Sequence, residues 1–178
     1  EARAEWGGDK AARGCLMMTG SMGLGYIFPL PERICAAGAD VQVIVLVGSN
    51  RELKDRLEDK FGDSGRVRAV SFTDQVPLYM AACDVMLTKP GGLTSTEAAV
   101  FSVPLIHTDP IPGCETRNAA FFQGHGMSRR ALGGQEIVSA ATELLFSDSA
   151  REAMCAAQRR TINPYAARDI VDCALERA

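Results

Sequence analysis

The run Val41 to Val47 constrains this chain most, because it is apolar except for Gln42 and rich in β-branched residues. A block that short and that apolar, followed by Gly48-Ser49-Asn50, reads as a strand buried in a sheet. The segments around it decide which kind of sheet. Strand-like and helix-like stretches alternate along the chain, the pattern of an α/β domain built on a mostly parallel sheet. Cys15 to Thr19 predicts a strand, and Ile27 to Ala37 a helix with Pro29 and Pro31 in its first turn, where proline is tolerated. Glu52 to Phe61 predicts a charged amphipathic helix closed by Gly62. Further strands are expected at 67–70, 85–88 and 105–107, with helices at 76–82, 95–101 and 115–123. Two or three helices fill the remainder from 134 to 177, and Pro164 divides the last two.

Residues 1–14 are expected to form a linker or leading helix, and 15–178 a single domain. With 178 residues, 47% of them hydrophobic, the chain can bury one core but not two of ordinary size. It opens Glu1-Ala2-Arg3-Ala4-Glu5, unlike a signal peptide and without Met, and is read as a fragment or a processed product. No apolar run approaches the roughly 20 residues of a membrane-spanning helix. A net charge of −3 argues against a nucleic-acid partner, which usually needs a clustered basic face. It leaves room for a small anionic ligand, because helix N-termini and backbone amides hold phosphate without a basic patch. The six cysteines are scattered without a Cys-x-x-Cys pair, so they read as small apolar residues in a reducing cytosol, and no metal site is expected.

Ligands of open parallel sheets bind where strands end and helices begin. Three loops occupy such places. Gly20-Ser21-Met22-Gly23-Leu24-Gly25 follows the first strand; its glycines allow close backbone approach to a phosphate or a sugar. Its spacing is neither the dinucleotide fingerprint nor a P-loop, and a flexible turn explains it equally well. The second strand lacks the terminal acidic residue that binds a nicotinamide cofactor's ribose. Lys89-Pro90-Gly91-Gly92-Leu93-Thr94-Ser95-Thr96-Glu97 is a strand end, a glycine turn and a helix opening on hydroxyl residues. Thr94 and Glu97 have capping-box spacing, while the hydroxyls and free amides suit a diphosphate; both readings are compatible. Lys89 itself reads as a solvated surface charge. Asp109 to Asn118 again leads from a strand into a helix, with Glu115 and Asn118 on one helical face. A carboxylate beside an amide suits sugar hydroxyls, and an ordinary first-turn acid fits Glu115 as well.

The order of these motifs carries a resemblance. Gly-Ser-Met-Gly-Leu-Gly, Gly-Ser-Asn-Arg-Glu-Leu and Met-Ala-Ala-Cys-Asp precede Leu-Thr-Lys-Pro-Gly-Gly-Leu-Thr-Ser-Thr-Glu-Ala, and Pro-Ile-Pro-Gly-Cys-Glu-Thr-Arg-Asn-Ala follows. The chain resembles the C-terminal domain of the monogalactosyldiacylglycerol synthase and processive diacylglycerol glucosyltransferase family. The peptidoglycan lipid-linked N-acetylglucosaminyltransferase is a more distant relative. The likeness runs over residues 1–165 and is most specific at 83–121.

That resemblance implies a Rossmann-like parallel sheet flanked by helices, the C-terminal half of a GT-B glycosyltransferase. It implies a UDP-sugar donor, with the base around Phe72, Thr73 and Val76. The diphosphate would lie at Gly91, Gly92, Thr94, Ser95 and Thr96, the ribose at Glu97, the hexose at Glu115 and Asn118, and the cleft floor at Gly20 and Ser21. Members of the family invert the anomeric centre without a metal or other cofactor, and pass the hexose to a lipid such as diacylglycerol. The general base and the lipid contacts then belong to an N-terminal domain absent here, and the isolated chain is expected to be inactive. The full-length protein is expected in the cytoplasm, peripheral on the inner face of the membrane. Cys114 stands where the family often has glutamine, Ser102 where glycine commonly ends a helix, and Thr19 in place of a frequent glycine. A UDP-sugar epimerase of the same fold and a non-catalytic UDP-sugar-binding subunit are the alternatives; a nicotinamide oxidoreductase is disfavoured by the missing acid. The stretch Arg151 to Arg160 reads as a solvated surface helix.

Overall fold

The computed structural model describes residues 11–18 and 27–176. One sheet contains β1 (Arg13–Met18), β2 (Val41–Gly48), β3 (Val67–Ser71), β4 (Val85–Thr88), β5 (Leu105–His107) and β6 (Ser128–Arg130). The strands lie in the order β3-β2-β1-β4-β5-β6 and every neighbouring pair is parallel. The helices are α1 (Leu30–Cys35), α2 (Arg51–Phe61), α3 (Val76–Ala82), α4 (Gly92–Val100), α5 (Cys114–Gly124), α6 (Gly134–Phe146), α7 (Asp148–Thr161) and α8 (Ala166–Glu176). This is the doubly wound Rossmann-like order, in which the chain reverses its direction of travel across the sheet between β1 and β4.

Burial explains which strands the sequence reveals. β4 is buried throughout, and so are Cys15 to Met17 of β1 and Val43 to Val47 of β2. Edge strands look different. β6, unforeseen from sequence, is Ser128-Arg129-Arg130 with both arginines exposed, and exists because its backbone pairs with Leu105 to His107. A charged edge also discourages pairing with other chains. Two side chains tie distant segments to this frame. Asp84 accepts the Gly14 N–H at 2.7 Å, joining the starts of β4 and β1. The Arg66 guanidinium donates to the Cys35, Gly38 and Val41 carbonyls, pinning β3 to the turn between α1 and β2.

Some boundaries move. β1 starts at Arg13, so the expected division after residue 14 falls inside a strand. Residues 1–10 and Thr19 lie outside the described residues. α4 starts at Gly92, three residues before the expected Ser95. α7 is not a free surface helix: it buries Met154, Cys155, Ala157 and Gln158, and Gln158 Nε2 donates to the Val103 and Met127 carbonyls at 2.8 and 3.0 Å. α8, beyond Pro164, buries nothing. All six cysteines are described and all are free thiols. Among the described residues no helix is long and apolar enough to cross a membrane.

Candidate functional site

The carboxyl ends of β1, β2 and β3 open into a cavity of about 400 Å³, lined by Met18, Gly48, Ser49, Asn50, Ser71, Phe72, Thr73 and Val76 among others. A second hollow of about 430 Å³ shares Met18, Thr73 and Val76 and adds Asp74, Pro77, Met80, Glu97 and Phe101. The two hollows adjoin at these shared residues, and the groove they outline runs across the switch point from the β2–β3 side to α4. Local structure shapes each wall. A shift of register between Leu46 and Gly48 ends β2, and Gly48 turns the chain at φ 60°. Asn50 accepts the Leu53 N–H at 3.0 Å and so starts α2 at the cavity edge. Thr73 Oγ1 accepts the Gln75 N–H, setting the turn into α3. The Phe72 ring is 84% exposed at the rim, an unusual place for a phenyl group without a partner surface.

At the other wall β4 ends at Thr88 and the Pro90-Gly91-Gly92 turn opens α4. Gly91 is the N-cap residue, and no side chain caps the helix. The expected box between Thr94 and Glu97 is therefore not formed: the helix begins too early for Thr94 to stand before its first turn. The first intrahelical bond is Ser95 N–H to the Gly91 carbonyl, 3.0 Å, so the amides of Gly92, Leu93 and Thr94 precede the ladder, as at any helix start. Thr96 and Glu97 are exposed and Thr94 is half-buried. Ser95 departs from its expected place at the diphosphate. Its side chain is fully buried, and its Oγ shares a 3.0 Å hydrogen bond with His107 Nε2. The position is one turn-facing step away from Thr94 and Thr96, so it points into the sheet.

The third loop is bound to the second by two bridges. Lys89 Nζ lies 3.1 Å from Glu115 Oε1, with both side chains largely shielded. Asn118 Nδ2 donates to the Pro90 carbonyl at 3.1 Å. Glu115 Oε2 accepts the Ile111 N–H at 2.6 Å, folding the Pro110-Ile111-Pro112 segment back onto its helix. Partial burial alone would raise the Glu115 pKa, but the Ile111 hydrogen bond and the Lys89 ammonium outweigh it and hold the carboxyl below its ordinary value. Gly113, just before α5, has φ 111° and ψ −119°, a conformation that essentially requires glycine.

Residues 24–159 match the family described as glycosyltransferase family 28 C-terminal domain. This chain belongs to that family. A processive diacylglycerol β-glucosyltransferase of Staphylococcus carnosus (strain TM300) is 34% identical over 136 residues, covering 76% of this chain and 35% of that protein. The chain spans 30–40% of the length of the first curated relatives it matches. Among solved structures, MurG of Acinetobacter baumannii superposes with a TM-score of 0.76 at 17% identity, covering 98% of this chain and 52% of that one. The UDP co-structure of MnaA from S. aureus gives 0.72 at 18% identity, over 90% and 44% of the two chains. The fold is accordingly that of the GT-B glycosyltransferases' C-terminal half.

Within this family 28 domain the groove gathers Phe72, Thr73, Val76 and Glu97, while the bridged loops gather Gly91, Gly92, Glu115 and Asn118. Gly20 and Ser21 lie outside the described residues. Sequence reasoning missed three residues. Phe101 joins Glu97 at the groove, and its signal was available: the two are four apart on one helix face. Lys89 is a partner of Glu115 and not a solvated charge. His107 supports α4 from beneath, and no local pattern marks that. Cys114 and Ser102, two departures from the family pattern, are an exposed thiol and the only non-glycine residue with positive φ among the described residues.

Proposed function

We propose that this domain holds the UDP-sugar donor of an inverting, metal-independent glycosyltransferase that transfers a hexose to a lipid acceptor such as diacylglycerol. The observation that carries the reading is the groove across the switch point, which joins the Phe72-Thr73-Val76 wall to Glu97 and Phe101, while the helix that carries Glu97 starts without a side-chain cap. A base fits the apolar end at Phe72. Glu97, exposed in the second hollow, accepts hydrogen bonds from the ribose hydroxyls. The amides of Gly92, Leu93 and Thr94, with the hydroxyls of Thr94 and Thr96, face the diphosphate at the positive end of the helix dipole, and Gly91 shapes the turn that presents them. Ser95 is replaced in that role by its supporting bond to His107. Glu115 and Asn118 address the hexose.

On this reading the domain stabilises departing UDP. Negative charge grows on the β-phosphate as the glycosidic bond to UDP breaks, and amides already aimed there need no reorganisation. The base that deprotonates the acceptor and the surface that meets the lipid come from an N-terminal domain beyond this chain. The protein then works peripherally at a membrane. The relatives' names and the UDP bound by one structural neighbour support the assignment.

Calorimetric titration with UDP, UDP-glucose, UDP-galactose and NAD tests it. The uridine compounds are expected to bind saturably and NAD not at all; a folded chain that takes NAD in preference refutes the reading. Glu97→Ala is expected to weaken UDP roughly tenfold, the worth of a hydrogen bond to a charged group. Since α4 has no side-chain cap to lose, stability should stay within about 0.5 kcal/mol.

A further inference from the structure

Lysines generally extend into water, and a first-turn glutamate is generally held by the helix dipole alone. Lys89 and Glu115 do neither. Their side chains are only 16% and 14% exposed, and the pair spans from the end of β4 to the first turn of α5. One Glu115 oxygen accepts from Lys89 at 3.1 Å and the other from Ile111 N–H at 2.6 Å. Two anchors on two different oxygens fix both the position and the plane of the carboxylate. Each oxygen has two acceptor directions, so each keeps one for a ligand. The Pro90 carbonyl, next to Lys89, is meanwhile held by Asn118, one turn along the same face of α5. The loops are thus clamped twice, and the lysine is the only charged group in the clamp facing Glu115 among the described contacts.

We propose that Lys89 is a positioning residue that fixes the Glu115 carboxylate so its free lone pairs meet the hydroxyls of the donor's hexose. The proposal rests on the reading of Glu115 as a sugar-facing residue. A carboxylate held ionised accepts hydrogen bonds and donates none, so it selects a ligand that offers hydroxyl hydrogens at those two directions. Without the ammonium, Glu115 keeps only the Ile111 anchor and turns about it. The hexose then loses an oriented acceptor, although the groove for base and ribose is untouched.

The test measures dissociation constants for UDP-glucose and UDP-galactose with the wild type, Lys89→Met, Lys89→Arg, Glu115→Gln and the double variant Lys89→Met/Glu115→Gln. Lys89→Met is expected to weaken the preferred sugar nucleotide roughly tenfold, and Lys89→Arg to retain most of the affinity. Glu115→Gln should weaken it comparably, and the double variant should be no weaker than Glu115→Gln alone. A carbon NMR titration of the Glu115 carboxyl supplies a readout without ligand: its pKa should be higher in Lys89→Met than in the wild type. Lys89→Gln serves if Lys89→Met does not fold. Losses that add in the double variant overturn the proposal and put Lys89 on the diphosphate directly. If Glu115→Gln weakens the sugar nucleotide and Lys89→Met does not, the proposal falls alone. If Glu115→Gln has no effect, the sugar-facing reading falls, and the role of Lys89 with it.

Discussion

His107 makes a sharp prediction about acid stability. Its ring is fully buried against Phe122 at 5.4 Å in edge-to-face contact, its Nε2 meets Ser95, and its Nδ1 has no partner among the described residues. Burial disfavours the charged form and lowers its pKa from 6.5 to about 4. Between those values the unfolded chain binds a proton that the folded chain refuses, so stability rises with pH across that window and is complete above it. For these two pKa values the penalty is slight at pH 7 and amounts to about 2 kcal/mol at pH 5. Glu115 acts in the other window. Its depressed pKa makes its contribution vanish only as pH falls through that lower value, in stronger acid. Urea unfolding followed by circular dichroism at pH 7, 6 and 5 should therefore show the wild type losing about 2 kcal/mol more than His107→Gln, which cannot take up the proton. Parallel pH curves for the two proteins would refute the reasoning, because His107 would then be reached by water or already charged in the fold.

Three further outcomes follow from backbone and burial. Gly113→Ala should cost about 1–3 kcal/mol in a denaturant titration, because φ 111° with ψ −119° is closed to a residue with a Cβ. Ser102→Gly should move the same titration the other way by up to about 1 kcal/mol, since Ser102 sits at φ 55°, while its carbonyl keeps the bond from Cys155 Sγ. Maleimide labelling of the native chain should reach Cys114 and Cys173 first, because both are exposed. Cys15 should be last: burial, with smaller contributions from Cys35 and Asp84, pushes its thiol up to about 12.

The sheet was legible wherever a strand is covered on both faces. Val41 to Val47 and Val85 to Thr88 announce themselves by apolar content alone, and their helices follow from amphipathic spacing and proline positions. β6 was not legible, because its reason for being a strand is the backbone of β5 and not its own side chains. The same holds in the site. The glycine turn could be read locally, since a helix start has a local signature, but the helix opens three residues before its hydroxyl run suggests and Glu97 forms no capping box. The inward turn of Ser95 could not, because it depends on His107, 12 residues away in sequence on the next strand. Nor could the Lys89–Glu115 pair, which spans 26 residues and exists only after two loops are brought side by side.

The reversal between β1 and β4 has a consequence for how the molecule comes together. One wall of the groove ends the β1–β3 half of the sheet, and the other is Glu97 and Phe101 of the segment that follows β4. The seam between them is closed by backbone pairing of Cys15 to Met18 with Val85 to Thr88, and by the Gly14–Asp84 bond across 70 residues of chain. The 400 Å³ cavity belongs to the β1–β3 half and Glu97 and Phe101 to the other, so the whole groove exists only once β1 has paired with β4. Any ligand held there acts as a stitch, slowing the separation of the two halves and tying their unfolding into one event.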